Sequence, residues 1–336
     1  MIGGELALLS RLQRISKRMS ITMNSNSLVI GAGGFIGCNL SIALKEKQHN
    51  IYACDTFFSS QVYSDLQKKD INIIEGGVEG LLLDLENYKH INNILYFAGN
   101  STPALVETEL SRGYFSDQEA LVMMLEACKK LPNLNNFVYA SSGGTVYGIA
   151  SIAHKETSAI KPISSYGLSK IIQEEYIQFY ARKLGFKAKI ARISNPYGRK
   201  PSQHNNKNLQ GFIDVAIEKT IHKQNIQIWG DGTNIRDFIH IKDLASGLST
   251  LLDPKLPAGI YNLGSGTGHS LNQIINIIKN CKLDIKIDYI DSRVIDVPQN
   301  TLDISKLTSL SHWHPKITQE AGINMLLSHY RDLSMI

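Results

Sequence analysis

Tyr166 and Lys170 are the residues whose types and spacing most clearly suggest chemistry. They lie four positions apart in SSYGLSKIIQEEYIQFYARKLG, a pattern that predicts a long helix, so their side chains share one face. A tyrosine phenol has a pKa of about 10 and is a weak base at neutral pH. A neighbouring ammonium favours the phenolate and lowers that pKa. The pair could therefore take a proton from a hydroxyl group while a hydride leaves the same carbon.

The pair alone carries little weight, because the chain has 14 tyrosines and about one such spacing is expected by chance. Its position makes it more significant. The helix follows the fifth predicted strand and lies one connection after the segment SSGGTVYG, residues 141–148. That segment supplies further hydroxyl groups, so the two segments together look like parts of one active site.

A phosphate-binding loop is predicted where the first strand meets the first helix. In GAGGFIG, the residues Gly31, Gly34 and Gly37 allow a tight turn, close approach of the backbone to a pyrophosphate, and close helix packing. The free N–H groups and the positive end of the helix dipole would face the phosphates. Asp55 ends the second predicted strand about twenty residues later, where a carboxylate binds both ribose hydroxyls. Because this carboxylate would repel a 2′-phosphate and no arginine follows in TFFSS, NAD is favoured over NADP.

Short β-branched runs alternate with longer helical patterns from Ser27 onward. Strands are predicted at 27–31, 50–55, 71–75, 93–98, 136–141 and 187–194, and the helices between them include 35–47 and 165–184. Strands separated by crossover helices form a parallel sheet that is covered on both faces. The predicted fold class is therefore α/β, with a Rossmann-type doubly wound parallel sheet and a smaller C-terminal α/β substrate lobe.

Three regions follow from this pattern. Residues 1–24 are predicted to be a flexible N-terminal extension, 25–195 an NAD-binding Rossmann domain and 196–336 a substrate-binding lobe, some of whose elements can return to the main sheet. The ligand pocket is expected between the two larger regions. Residues 1–22 carry a basic amphipathic pattern that could be a membrane-surface helix. A frayed leader or an upstream start codon, with Met19 or Met23 as the real beginning, is the favoured interpretation.

Composition limits the class of partner. The net charge of +5 comes from scattered basic residues, which favours a small anionic ligand over a nucleic-acid surface. No run of 18 apolar residues occurs, so no spanning helix is expected. The four cysteines are far apart and show no CxxC spacing, so neither a metal site nor a disulfide framework is predicted. A cytoplasmic location is the default expectation.

The motifs together resemble the extended short-chain dehydrogenase/reductase family, and within it the NAD-dependent nucleotide-sugar epimerase and dehydratase branch, of the UDP-glucose 4-epimerase type. GAGGFIG, Asp55, SSGGTVYG, YGLSK, RISNPYG and WGDGTNIRDFIHIKDLA follow one another in that family's order and spacing. The resemblance implies bound NAD, a nucleoside-diphosphate sugar in the C-terminal lobe, and a homodimer joined through two helices per subunit. It makes Tyr166 the acid/base and Lys170 its partner. The implied cofactor-binding residues are Gly31, Gly33, Gly34, Phe35, Ile36, Gly37, Asp55, Ala98, Gly99, Tyr166, Lys170 and Pro196.

The same resemblance implies a set of substrate ligands. Asn195 would bind the substrate diphosphate, and Pro196 would shape the loop near the nicotinamide. Asn208 and Leu209 stand where the following helix begins, and an amide with helix N-terminal N–H groups suits a phosphate. Two arginines would clamp the diphosphate through bidentate, charge-assisted bonds, which lysine would not reproduce. They are Arg236 and Arg293.

Two of these assignments have alternatives or extensions. Arg236 could instead form a surface ion pair with Asp237 or Asp231. Asn300 occupies a position that resembles the family's gate against bulky C2 substituents. Because asparagine is smaller than an aromatic residue, an N-acetylated hexose could enter.

Four departures from the family pattern limit the transfer of roles. Gly77 stands where an aspartate usually contacts the adenine, and YFAGNSTP brings Gly99 and Asn100 near the nicotinamide. Asp117 replaces an asparagine that normally opens a helix, and Gly143 replaces the catalytic Ser or Thr. Members that dehydrate the sugar usually place an Asp and a Glu at the positions of Gly143 and Gly144, and both are glycine here. 4,6-Dehydration is therefore disfavoured.

The hydroxyl missing at Gly143 must come from another group. Residues alternate faces along an extended segment, so counting by two from Gly143 places Thr145 toward the substrate. Thr145 is therefore the first candidate, Ser142 the second and an ordered water the third.

The predicted function is NAD-dependent epimerisation of a UDP-hexose or UDP-N-acetylhexosamine at C4. NAD would take the C4 hydride while Tyr166 takes the O4 proton, and the 4-keto sugar would turn over and receive the hydride on its other face. One alternative is an NAD(P)H-dependent 4-keto-sugar reductase. Another is a non-catalytic dinucleotide-binding regulatory protein, which the departures would suit but which has little need of Tyr166 and Lys170.

Overall fold

A computed structural model of the chain describes residues 25–99, 110–199, 211–292 and 297–332, and for 110–113 the backbone alone. The strands are β1 (Asn26–Ile30), β2 (Asn50–Asp55), β3 (Asn72–Glu75), β4 (Asn93–Tyr96), β5 (Asn136–Ser142), β6 (Lys187–Ile193), β7 (Asn195–Tyr197), β8 (Ile226–Trp229), β9 (Ile235–His240), β10 (Gly259–Leu263), β11 (Gly268–Ser270), β12 (Ile287–Ile290) and β13 (Gln299–Asn300). The helices are α1 (Phe35–Glu46), α2 (Ser60–Lys68), α3 (Gly77–Leu83), α4 (Leu110–Ala127), α5 (Ser165–Leu184), α6 (Phe212–Ile221), α7 (Ile241–Thr250), α8 (Leu271–Asn280), α9 (Ser305–Ser311) and α10 (Gln319–Asp332).

The central sheet of the described chain has the strand order β10-β6-β5-β4-β1-β2-β3. All neighbouring strands are parallel, with Ser27 beside Ile51 on one side of β1 and beside Asn93 on the other. The strand order reverses between β1 and β4, and at such a switch point the carboxyl ends of the strands leave a ligand crevice. The predicted Rossmann-type doubly wound α/β fold is confirmed.

Helices cover both faces of this sheet because its strands are apolar on both sides. In β1, Leu28, Val29 and Ile30 are at most 1% exposed. Helices α1 and α7 pack together on one face, and α4 and α5 pack together on the other. Helix α5, which carries the catalytic candidates, is therefore held by its packing against α4.

The second half of the chain forms a smaller set of sheets. Strand β9 pairs with β7, β11 and β13, and β8 pairs with β12. Helices α6, α8 and α10 bury isoleucine and leucine side chains around them. β10 pairs with β6, so part of the region after residue 195 returns to the main sheet. The boundary at residue 195 itself stays a prediction.

Helix α5 has clear local reasons to begin and end where it does. The Ser164 side chain accepts a hydrogen bond from the Gly167 N–H, which caps the first turn. Gly185 ends the helix at a φ of 85°, a left-handed conformation that glycine adopts without strain. The cap places Tyr166 in the first turn, at the sheet edge where β5 ends.

Candidate active site

The glycine-rich loop leaves no room for side chains. Gly31 has a φ of +89°, and a Cβ there would lie 2.6 Å from the backbone of Phe97 and Ala98 at the end of β4. A Cβ on Gly33 would lie 2.2 Å from the Phe57 carbonyl oxygen. The turn therefore lies at the switch point between β1 and β4, where a dinucleotide crosses the sheet.

Asp55 and helix α1 complete this cradle. The Asp55 carboxylate accepts a hydrogen bond of 2.8 Å from the Gly33 N–H, so it faces the glycine loop. A Cβ on Gly37 would lie 2.2 Å from the Gly31 carbonyl oxygen, which explains the third glycine. Gly34 is the N-cap and offers no side chain to the free N–H groups of Phe35 and Ile36. These residues fit a pyrophosphate at the helix N-terminus.

Lys170 lies over the ring of Tyr166, with its Nζ 5.5 Å from the ring centroid and 5.2 Å from that of Tyr139. Burial, together with the Asp117 carboxylate, raises the pKa of Tyr166 to about 12. Burial lowers the pKa of Lys170 to about 8, although Asp117 and Glu174 oppose that change. The protein's own groups thus raise the Tyr166 pKa, against the expected direction, because burial and a carboxylate both disfavour the phenolate.

Asp117 is a buried carboxylate close to this pair. It is 7% exposed on α4, and a Cβ on Gly99 would lie 3.3 Å from its Oδ2. The neighbouring Gln118 donates to the Ser169 hydroxyl on α5, which fixes the two helices side by side. Ala98 and Gly99 follow β4 at the same edge of the sheet, and Asn100 lies outside the described residues.

The segment SSGGTVYG packs directly against the start of α5. Strand β5 ends at Ser142, and the N–H groups of Thr145 and Val146 both donate to the Ser142 carbonyl, at 3.3 and 3.2 Å. The residues after Ser142 therefore form a turn rather than an extended segment, and the alternation that favoured Thr145 is wrong. A Cβ on Gly167 would lie 2.4 Å from the Thr145 carbonyl oxygen, which brings the turn beside Tyr166.

The two candidate hydroxyls of this turn have different environments. Thr145 Oγ1 is buried and has no hydrogen-bond partner among the described residues. Ser142 and Thr145 are both partly exposed as residues, and Ser142 Oγ lies 3.9 Å from where a Cβ on Gly144 would be. The burial of the Thr145 hydroxyl makes Ser142 the candidate for the accessible hydroxyl of the turn.

The predicted substrate residues gather around β9. Asn195 donates to the Asp237 carbonyl at 2.9 Å, and β7, which also contains Pro196, pairs with β9. Arg236 donates to the carbonyl oxygens of Ile235 and Val297, at 2.9 and 2.7 Å. The Asp237 carboxylate accepts from residues of two loops, namely Ser265, Gly266 and Leu302. Asn208, Leu209 and Arg293 lie outside the described residues.

Asn300 is the parallel partner of Arg236 in the β13–β9 pair. Its side chain is 1% exposed, and its Nδ2 donates to the Gly143 carbonyl at 3.2 Å. The proposed gate residue therefore contacts the glycine turn. The structure brings the turn, α5 and β9 together in one site.

Comparison with known proteins agrees with this geometry. The model of the NAD dependent epimerase/dehydratase family matches residues 27–264. The chain belongs to this family. Its cofactor is NAD, so the predictions of family and cofactor are confirmed.

Individual members of the family show what the chain is similar to. It is 30% identical to the "Putative UDP-glucose 4-epimerase" of Methanocaldococcus jannaschii, over 90% of this chain and 97% of that protein. It is 28% identical to the dTDP-4-dehydro-6-deoxyglucose reductase of Escherichia coli, over 90% and 97%. The UDP-glucose 4-epimerase of Thermotoga maritima, solved with UDP-glucose, superposes with a TM-score of 0.82 at 26% identity, covering 92% of this chain and 99% of that one.

One departure from the family pattern has a local cause in this chain. Gly77 has a φ of +63°, and a Cβ there would lie 2.6 Å from Thr56 Cγ2. Cys54 also donates its thiol to the Gly77 carbonyl at 3.1 Å. The left-handed backbone and the close approach of Thr56 both disfavour a side chain at this position.

Two charged groups near the site were missed in the sequence. Arg199 lies with its guanidinium carbon 4.8 Å from the ring centroid of Phe35, at the first residue of α1. Its position directly after NPYG is the signal that could have identified it. Glu174 is the second, and its spacing from Tyr166 and Lys170 along one helix face could have indicated it.

Two further observations concern other kinds of site. The described residues contain no cluster of His, Cys, Asp or Glu side chains that could hold a metal ion. None of the described helices combines the length and the apolar character that crossing a membrane requires.

Proposed function

We propose that this member of the family is a UDP-sugar 4-epimerase that acts on a UDP-hexose or a UDP-N-acetylhexosamine. The observation that carries this proposal is the position of Tyr166 and Lys170 beside the glycine turn, at the sheet edge that also holds the dinucleotide cradle. The similarity to UDP-glucose 4-epimerases supports the choice of substrate class.

The chain's own residues would bind and hold the reactants. Asp55, the glycine loop, Ala98, Gly99, Lys170 and Pro196 would hold NAD, and Asn195, Asn208, Leu209, Arg236 and Arg293 the UDP diphosphate. NAD, when bound, accepts the C4 hydride and returns it. Tyr166 takes the O4 proton and gives it back after the 4-keto sugar has turned over. A positive charge beside Tyr166 is needed to offset the burial that raises its pKa.

Ser142 is our candidate for the hydroxyl that Gly143 lacks. Ser142 is partly exposed and its Oγ lies 3.9 Å from where a Cβ on Gly144 would be, whereas the Thr145 hydroxyl is buried. Ser142 would orient the sugar hydroxyl toward Tyr166.

Arg199 is our candidate for an additional cofactor contact. It stands over Phe35 at the N-terminus of α1, where the helix dipole also favours an anion. Burial lowers the pKa of Arg199 and Asp214 opposes that change. An arginine still remains charged at neutral pH. A guanidinium and a helix N-terminus facing the same place suit a pyrophosphate.

We also propose a homodimer, with a second copy of this chain covering α4 and α5. Leu168, Tyr176 and Phe179 form a stripe on α5 that is 43–51% exposed, and Phe115 on α4 is 66% exposed. Large apolar side chains on two adjacent helices mark a surface that a partner buries. A cytoplasmic location is consistent with four cysteines that form no disulfide with one another.

An assay of purified protein with UDP-hexoses, without added NAD, tests the reaction. Epimer formation that Tyr166→Phe lowers by about 10²-fold or more supports the proposal. Consumption of external NAD(P)H on a 4-keto sugar would instead favour a reductase, which the similarity to the Escherichia coli enzyme makes the second candidate. If the protein shows neither of these two activities, the result would favour a regulatory protein.

A further inference from the structure

The glycine turn is held from the far end of the chain. Asn300 Nδ2 donates to the carbonyl oxygens of Gly143 and Gly144, at 3.2 and 3.5 Å. The donor edge of the amide must face them, because a flipped amide would set three oxygens against each other. The Asn300 side chain therefore holds two consecutive residues of the turn, and we call this pair of hydrogen bonds the tie.

Leu302 fills the place where a side chain on residue 143 would lie. A Cβ on Gly143 would be 2.6 Å from Leu302 Cδ1 and 2.9 Å from Cδ2. Leu302 is completely buried and packs with Val146 and Tyr147 of the same turn. It cannot retreat without opening a cavity in that cluster.

Gly144 provides the contrast. Among the described residues other than its chain neighbours, the only atom within 4 Å of a Cβ on Gly144 would be Ser142 Oγ, at 3.9 Å. Neither Gly143 nor Gly144 has a left-handed φ, so the backbone accepts another residue at both positions. A Cβ on Gly143 would meet Leu302 and, at 3.2 Å, the Arg192 carbonyl oxygen, and neither lies within 4 Å of a Cβ on Gly144.

The segment that contains Asn300 and Leu302 is itself anchored to β9. Asn300 pairs with Arg236 in the sheet, and the Leu302 N–H donates to the Asp237 carboxylate at 3.3 Å. Asp237 is completely buried, and its other hydrogen bonds come from the loop at Ser265 and Gly266. The segment of Asn300 and Leu302 thus contacts both β9, the strand that carries Arg236, and the glycine turn.

We propose that Asn300 and Leu302 are positioning residues that fix the Gly143–Gly144 turn, exclude a side chain at residue 143 and leave Ser142 as its accessible hydroxyl. Asn300 would act through the turn, and not by contact with the C2 group of the sugar. The structural part of this inference stands by itself, and its catalytic part rests on the proposed function.

A thermal-unfolding cycle tests the structural part without any activity. We expect Gly143→Ser to lower the melting temperature by about 4 °C or more, because it overpacks the site, and Gly144→Ser to change it by less than about 1 °C. In a Leu302→Ala background, Gly143→Ser should cost less than half as much. Equal effects of the two glycine substitutions, or an unchanged cost in that background, would overturn the role of Leu302.

Asn300→Asp tests the tie, since it keeps the shape but replaces the donor by an acceptor. We expect amide hydrogen exchange of Thr145 and Val146 to become at least about 10-fold faster in the protein without sugar. Unchanged exchange would overturn the tie whether or not the chain is an epimerase.

Kinetics of Asn300→Asp test the catalytic part. We expect kcat to fall about 10-fold or more with plain and N-acetylated UDP-hexoses alike, and KM to change less. A changed ratio of kcat/KM between the two sugars, with kcat retained, would instead identify Asn300 as a gate for the C2 group. If the unmodified protein shows no epimerase activity, that result would count against the proposed function and not against the structural part of the inference.

Discussion

Arg192 and Glu174 form a bidentate ion pair behind the glycine turn, with Nε–Oε1 at 3.0 Å and Nη2–Oε2 at 2.6 Å. Their side chains are 3% and 2% exposed. The Ser141 hydroxyl donates to the same carboxylate, and the Arg192 guanidinium lies 4.9 Å from the ring centroid of Tyr147. The pair thus connects β6, helix α5 and both ends of SSGGTVYG.

Breaking this pair from one side should be costly. Arg192→Met leaves Glu174 charged, buried and without its partner, so we expect a loss of about 3–5 kcal/mol in the free energy of unfolding. Urea denaturation measures it. The double variant Arg192→Met, Glu174→Leu should recover part of the loss, because it removes the buried charge as well. A single-variant loss below about 1 kcal/mol would show that the pair contributes little.

Asp117→Asn should move the pH profile of kcat/KM to lower pH. Burial and Asp117 raise the pKa of Tyr166, and Asp117 also raises that of Lys170 against the effect of burial. Removing the carboxylate lowers the pKa values of both Tyr166 and Lys170. Both the acid and the alkaline limb of the kcat/KM profile should therefore move to lower pH by roughly one unit. Glu119→Gln, on the exposed face of the same helix, is the control. An unshifted profile would exclude an electrostatic role for Asp117.

Ser142→Ala and Thr145→Val should separate the two candidate hydroxyls. We expect Ser142→Ala to lower kcat by about 10-fold or more, because it removes the accessible hydroxyl. Thr145→Val removes a buried hydroxyl that has no partner among the described residues. We therefore expect little change in the free energy of unfolding and a change in kcat of less than about twofold. The reverse pattern in a steady-state assay would return the role to Thr145.

Arg199→Ala should weaken NAD binding. Loss of a charge-assisted contact to the pyrophosphate is expected to raise the Kd about 10-fold, as measured by calorimetry on protein stripped of nucleotide. Arg182→Ala, in the exposed last turn of α5, removes the same charge away from the loop. Equal affinities of the two variants would show that Arg199 does not bind the cofactor.

Phe179→Glu should convert the proposed dimer to a monomer. The substitution places a charge in the stripe on α5, and burying an unpaired carboxylate at an interface is strongly unfavourable. Light scattering after gel filtration measures the mass. Leu83→Glu is the control, since Leu83 is 92% exposed on α3. If light scattering shows that the unmodified protein is a monomer, the proposed interface is wrong.

The parts of the fold and site that depend on local periodicity could be predicted from the sequence. Alternating strands and helices imply the parallel sheet, and the predicted helix at 165–184 coincides with α5. Gly31, Gly34, Gly37 and Asp55 could be located because a turn and a strand end place them within one βαβ unit. Tyr166 and Lys170 share a face because the helix repeat is fixed.

Only the tertiary structure decided how the glycine turn is held and which hydroxyl it exposes. Asn300 and Gly143 are 157 positions apart, and nothing local relates the types of residue at such a distance. The residues after Ser142 form a turn and not the extended segment from which Thr145 was predicted to face the substrate. This turn depends on packing against Gly167 and Leu302. The Tyr166 pKa is likewise set by burial and by Asp117 on another helix. Sequence periodicity determines which face a side chain takes along its own element, whereas distant elements determine the space and charge it meets.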